Sequence, residues 1–270
     1  CPYCEQHTDY RVRRHTLHAY RPYGGAIDLY GRVSSNWYDW LSAEWDNLLV
    51  TCPSCDRAKS NRFPVAAEER VAWGTKGVFL RDEQPLILNP CDSLDDPAEH
   101  LVYDNGRIVG LTERGRVTVE VLNLNRDELV VRRRALLESE QWAFEVFGAL
   151  DGSIRLADFL YRGEEFGGLR RQLLAKALRE ASPEIQARLA REEPEAVMTL
   201  FNAREVPAKS AVRTAVRAQK SFQTSAAAYS VDSNPEDGYY LRTIVVERVE
   251  LTNVRAFNDA TFAFPAGESE

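Results

Sequence analysis

No stretch of this 270-residue chain approaches the roughly 20 consecutive apolar residues of a membrane-spanning helix, so no membrane partner is expected. The opening residues do not read as a secretion signal either. Positive charge is not in surplus: 34 Lys and Arg face 41 Asp and Glu, a net charge of −7. That balance argues against a protein that coats nucleic acid indiscriminately, while leaving room for a local basic groove. Cysteine is scarce, with only five residues, four of them in two Cys-x-x-Cys pairs. This usage fits metal binding in a reducing compartment better than a disulfide framework, and a cytoplasmic protein is expected. An initiator Met is missing, and the first residue is itself one of the paired cysteines. The chain is therefore read as a fragment, or as the ordered part of something longer.

What is present is ordinary for a globular protein: 44% hydrophobic and 28% charged residues. The length suffices for one large or two modest domains with real cores. The most informative stretch is Trp45 to Pro64, WDNLLVTCPSCDRAKSNRFP. A tight turn brings the thiolates of Cys52 and Cys55 to one face, as one tetrahedral zinc requires. Cys1 and Cys4 form the matching knuckle. Four thiolates leave no open coordination position, so this zinc is expected to be structural. Asn47 lies five residues before Cys52, and Asp56 directly follows Cys55. A helix is expected from about Ser54, with Asp56 in its first turn.

Around this stretch the chain reads as α+β. Tyr10 to Tyr20 suits a strand or hairpin arm, closed by Pro22. Residues 23–36 read as a loop. Trp37, Trp40, Leu41 and Trp45 suit the apolar face of a short core helix better than a base-stacking platform. A charged, helix-like piece follows Pro64, and Leu86 to Leu88 form a short buried segment. Asp92, Asp95 and Asp96 before Pro97 read as turn and cap chemistry. Residues 101–121 alternate as LVYDNGRIVGL and RGRVTVEVL, a hairpin signal centred on Asn105-Gly106. Helices are expected from Arg126, with Leu129, Leu136, Ala143, Phe147 and Leu150 on one face, then over Phe166 to Ala181 and after Ser182-Pro183. Pro207 to Phe222 carries Lys209, Arg213, Arg217 and Lys220 at helical spacing, and 223–238 reads as a linker. Tyr240 to Pro265 reads as a further hairpin. Cys91 is expected to be a buried thiol, and His7 and His100 surface residues. His15 has a poorer spacing to Pro22 than His18.

Taken together, His18, Pro22, Asn47, Asp56 and the two knuckles resemble the HNH endonucleases, the ββα-metal nucleases, in their zinc-stapled form. With Pro22 setting the register, the resemblance implies that His18 is the first metal ligand and Asp56 the second, with Asn47 holding the loop. Lys59, one turn after Asp56, would lie near a phosphate, although Arg57, Lys59 and Arg62 also suit a solvated helix face. The position of the general-base His falls on Ala19, which cannot take a proton from water. Every other piece is retained, and an engineered His-to-Ala change accounts for that better than natural decay. A carboxylate and phosphate oxygens suit Mg²⁺ or Mn²⁺ at the His18/Asp56 site.

Beyond the knuckles, PLILNPC, DDPAEHL, NGRI, RGRVT and LNLNRDELVVRR resemble the HNH effectors found beside ATPases in Septu-type and retron-linked phage defence. The final piece, LRTIVVERVELTNVRAFNDATFAFP, resembles the opening strands of ABC/SMC-like ATPases. The phosphate-binding G-x-x-x-x-G-K-[ST] loop is not in the sequence, so ATP would bind only through a part outside it. The implied organisation is an HNH nuclease domain over 1–125, a helical extension over 126–222, a linker over 223–238, and the first ATPase strands over 239–270. DNA, an ATPase domain or subunit and an oligomeric assembly are the implied partners. The alternatives are a non-catalytic zinc module that binds nucleic acid or a partner protein, and an interaction scaffold built on the helices.

Overall fold

In the computed structural model the described residues are 1–7, 16–161, 164–202, 248–251 and 260–263. Strand β1 (Thr16–Ala19) leads into a small hairpin of β2 (Ala26–Ile27) and β3 (Val33–Ser34), in the region expected to be loop. Strand β4 (Leu48–Thr51) pairs antiparallel with β1, with Thr16 opposite Thr51 and Ala19 opposite Leu48. The β1 ladder stops three residues before Pro22, whose missing N–H cannot continue it. Helix α1 (Pro53–Lys59) follows β4 almost at once, with Pro53 in its first turn and the side chain of Cys52 as its cap. After α1 the chain is tied to β2: Ile27 N donates to Asn61 O, and Phe63 N to Ile27 O.

Two expected helices do not form here. The tryptophan segment makes two separate 3-10 turns, Asp39–Leu41 and Trp45–Asn47, preceded by Tyr38 in the left-handed region at φ 66°. Leu41 is buried, but Trp45 is 56% exposed, so the aromatic spacing does not mark one buried face. The charged piece after Pro64 contains only a 3-10 turn, Gly77–Arg81, with Gly74 and Gly77 both at positive φ. Leu86 to Leu88 are buried as expected.

Helix α2 (Pro97–His100) is capped by Asp96, whose carboxylate accepts from Ala98 N. Strands β5 (Leu101–Asp104) and β6 (Arg107–Gly110) then pair across Asn105 and Gly106. Both turn residues have positive φ, 48° and 78°, as a two-residue hairpin of right-handed twist requires. The stretch RGRVTVEVL is not a strand: all but its last residue, the capping Leu122, lies in α3 (Glu113–Val121). Its alternating β-branched residues mimic a strand because the helix is enclosed on several sides: Val117, Thr118, Val119 and Val121 are all buried. Thr112 starts the helix by accepting from Gly115 N.

The remaining chain of the first unit is helical: α4 (Asp127–Leu137), α5 (Glu140–Asp151), α6 (Leu156–Tyr161), α7 (Gly167–Glu180), α8 (Pro183–Glu192) and α9 (Pro194–Asn202). The single apolar face expected from Leu129 to Leu150 is broken, because Ser139 caps a new helix by accepting from Trp142 N. α5 buries Trp142 and Ala149 instead, leaving Ala143 and Phe147 exposed. Ser182 caps α8 as expected. Two apolar cores result. The first joins Cys4, Cys52 and Cys55 to Tyr20, Tyr38, Phe63 and Val119, and it takes in Leu129 of α4 and Leu169 of α7. The second gathers Trp142, Leu156, Leu174, Leu178, Leu189 and Leu200. Leu136 and Leu173 pack against both.

The chain divides into two compact units, residues 1–230 and 231–270. Within the second unit, β7 (Arg248–Leu251) and β8 (Ala260–Ala263) pair antiparallel, matching the expected hairpin. Residues 10–15 of the expected arm, His15 among them, lie outside the described residues, as do the basic piece Pro207 to Phe222 and the 223–238 linker. Among the described residues, no helix is long and apolar enough to cross a membrane.

Candidate functional site

The four paired cysteines converge. The Cys1–Cys4 turn is closed by Glu5 N donating to Cys1 O at 2.9 Å. In the second knuckle, Cys55 N donates to Cys52 Sγ at 3.4 Å. All four sulfurs lie within 4.8 Å of one another, three of the residues buried and Cys1 half-buried. Cys4 and Cys52 are 3.7 Å apart, close to the roughly 3.8 Å edge of a tetrahedron with Zn–S bonds of about 2.3 Å. Hydrogen bonds from Cys4 and Cys55 pull the Cys52 thiol down, while the same network and burial push Cys55 up. All five cysteines are free, so the set is able to hold one metal ion and is not consumed by a disulfide. Cys91 is exposed in a turn, its N–H donating to Asn89 Oδ1, and is not the buried thiol expected.

A second constellation lies between β1 and α1. His18, near the end of β1, is buried at 6% exposure, and Asp56 sits in the first turn of α1. His18 Nδ1 and Asp56 Oδ1 are 2.5 Å apart. Burial lowers the His18 pKa against the opposing pull of Asp56, favouring neutral imidazole. Its Nε2 is buried with no partner among the described residues. Ala19, next to His18, presents only a methyl and is buried.

Asn47 lies behind this pair and acts as a surrogate strand. Its Oδ1 accepts from Arg21 N at 2.7 Å, and its Nδ2 donates to Arg21 O at 2.9 Å and to Leu41 O at 3.2 Å. Tyr20 N donates to Asn47 O, so the β1–β4 frame is carried past the last ladder pair. Lys59 is fully buried, and its Nζ donates to Ala19 O at 3.1 Å. It does not lie on a solvated helix face. Arg62 also turns inward, donating to Ala58 O and Val121 O, whereas Arg57 is exposed. His7 is exposed as expected, while His100 is half-buried beside Thr112, its Nδ1 lying 2.7 Å from Thr112 Oγ1.

The chain is similar to Septu proteins. It is 39% identical over 142 residues to Septu protein PtuA of Bacillus mycoides, covering 52% of this chain and 19% of that protein. It is 34% identical over 139 residues to Septu protein PtuB of the same organism, covering 49% of this chain and 45% of the relative. A PtuB from Bacillus thuringiensis is 26% identical over 137 residues, covering 51% and 41%. The chain thus spans less than half the length of each of these relatives. No protein-family model and no solved structure matches it.

Several supporting residues carry no local sequence signal. Arg21 pairs with Glu83 at 2.7 Å, both buried, and Arg21 Nη2 donates to Leu80 O. Glu83 also accepts from the Tyr38 hydroxyl and from Val71 N. This network fixes the Tyr20–Pro22 turn from behind. Glu5, directly after Cys4, receives Gly168 N at the start of α7 and the Tyr103 hydroxyl at 2.9 Å. A cleft of about 820 Å³ opens beside Tyr20, Arg21 and Asn47. Its Arg81 and Arg114 are paired with Asp92 and Asp95, so it does not present a free cationic groove.

Proposed function

We propose that the N-terminal part of the chain is a zinc-stapled HNH-type DNA endonuclease domain from a Septu-type anti-phage defence protein, disabled at Ala19. The observation that carries this is the 2.5 Å approach of His18 and Asp56 between β1 and α1, beside the four-cysteine cluster. Two convergent ligands, one imidazole and one carboxylate, suit a single Mg²⁺ or Mn²⁺. When bound, such an ion supplies charge stabilisation at the scissile phosphate and the leaving oxygen. His18 and Asp56 would hold it, and Asn47 keeps the Tyr20–Arg21 turn in place through backbone hydrogen bonds. The residue that should accept the water proton is the missing one. Similarity to a Septu PtuA and a Septu PtuB supports the anti-phage defence part of this reading.

The test is supercoiled-plasmid cleavage with Mg²⁺ or Mn²⁺, by this protein and by Ala19→His, in a form that carries the ATPase part and with nucleotide present. Cleavage by Ala19→His alone, lost again on His18→Ala or Asp56→Ala, is the expected result. A folded, zinc-loaded Ala19→His protein that stays silent with ATP and varied DNA would refute the nuclease. The non-catalytic zinc module would then stand, and it requires zinc but no second, exchangeable ion.

A further inference from the structure

Arg126 is a half-buried cation that the nuclease chemistry does not use. It precedes α4, and its side chain is only 14% exposed. Its Nε donates to Glu128 Oε1 at 2.7 Å, a carboxylate that is itself 54% exposed. Its Nη1 donates to Asn123 O at 3.4 Å and to Cys55 Sγ at 3.6 Å. Its Nη2 is buried and has no partner among the described residues. The guanidinium thus turns one edge to a carboxylate near solvent and the other toward the cysteine cluster.

Burying a cation is unfavourable unless an opposite charge or a full set of acceptors replaces the lost water. Four neutral thiols offer little of either, since a thiol sulfur is a weak acceptor. Four thiolates around one Zn²⁺ carry a net charge of −2, which is also unfavourable in a buried place without a nearby cation. The unpartnered edge of Arg126 and the surplus charge of a four-thiolate centre answer each other. Other buried or half-buried cations nearby direct donors to backbone carbonyls, and although Arg133 Nε is also buried without a partner among the described residues, no hydrogen bond ties Arg133 to a sulfur. Arg133 Nη1 donates to Leu124 O, Lys59 Nζ to Ala19 O, and Arg62 Nη2 to Val121 O. Among the described residues, Arg126 is the cation with a hydrogen bond to one of the four sulfurs.

Arg126 also has a lever arm. Leu129, three residues later, is buried in the same core as Cys4, Cys52 and Cys55. Moving the guanidinium moves the first turn of α4 against that core. We propose that Arg126 is the charge-compensating positioning residue of the four-cysteine zinc centre, so that zinc occupancy and the seating of α4 form one equilibrium. By linkage, whatever the centre gains from Arg126 the seated helix gains from zinc. The proposal rests on the assignment of zinc to the four cysteines.

The experiment measures zinc content of the full chain first, then zinc affinity by competition with a chromophoric chelator, for the unsubstituted protein, Arg126→Met and Arg126→Lys. Arg132→Met, an exposed cation on the same helix, is the control. The expected result is one zinc per chain, and an affinity roughly 10–100-fold weaker in Arg126→Met, the usual effect of losing an outer-sphere partner. Arg126→Lys recovers part of the loss, and Arg132→Met shows none. Two readouts report charge at sulfur and not general packing: faster zinc release by N-ethylmaleimide, and a shifted thiolate-to-metal charge-transfer band in the Co²⁺-substituted protein. If Arg126→Met does not fold, Arg126→Gln against Arg126→Lys decides, and equal zinc affinity in those two overturns the proposal. So does an Arg126→Met protein that holds and releases zinc like the unsubstituted chain. A chain that binds no zinc at all overturns the zinc assignment and this proposal with it.

Discussion

Replacing Lys59 by Met should stabilise the protein at neutral and acidic pH and remove a pH dependence that the unsubstituted chain carries. Lys59 is fully buried, with its Nζ donating to Ala19 O and lying 5.8 Å from the centroid of the Phe63 ring. Burial lowers its pKa from 10.5 to about 7, against an upward pull from Asp56. The folded state therefore holds its proton less tightly than the unfolded state. Below about pH 7 both states are charged and the full penalty is present; above about pH 10.5 both are neutral and it is gone. A shift of about 3.5 units corresponds to a penalty of about 5 kcal/mol at about 1.4 kcal/mol per unit. Met removes that penalty and loses one hydrogen bond, worth about 1 kcal/mol. The variant should be about 4 kcal/mol more stable at pH 6, and its advantage should shrink by about 1.4 kcal/mol per pH unit from pH 7 upward. Urea unfolding of both zinc-loaded proteins without added magnesium, followed by tryptophan fluorescence from pH 6 to 10, measures the difference. Groups common to both proteins cancel in the subtraction. A stability difference that stays constant across this range would refute the assignment of a depressed pKa to Lys59.

Three further outcomes are expected. Cys52→Ser removes one of the four clustered thiols, the one that also caps α1, and if the cluster holds zinc the coupling of metal binding to folding should cost the protein its zinc and its cooperative melt, read by metal analysis and circular dichroism. Asn47→Ala leaves the buried N–H and C=O of Arg21 without their side-chain partners and should cost about 2–4 kcal/mol in urea unfolding, with zinc content unchanged. Gly106→Ala puts a Cβ 2.7 Å from Arg134 Cγ and 2.8 Å from Val130 O at a φ of +78°, and should cost about 1–3 kcal/mol, visible as a lower melting temperature.

The sequence was most legible where a few adjacent residues decide a structure on their own. The Cys-x-x-Cys knuckles, the Asn105-Gly106 turn and the Ser182-Pro183 helix start are of this kind, since spacing, positive φ and capping act within one turn of chain. RGRVTVEVL was misread for a reason of the same sort. Its residues prefer strands, but burial on several sides of α3 outweighed that preference and erased the polar face that would have marked a helix. The break at Ser139 escaped because a capping serine inside an apolar pattern looks like a tolerated polar residue. By contrast, no local rule links His18 to Asp56 across 38 residues, Arg21 to Glu83 across 62, Arg126 to Cys55 across 71, or Glu5 to Gly168 across 163. The first of these was expected only through a family resemblance, and the other three were not expected. The sequence by itself determined the two cysteine knuckles and the punctuation of the chain, because these depend on residue type and short spacing. Only the tertiary structure decided which charges are buried together, because desolvation and pairing depend on what the rest of the fold places around each group.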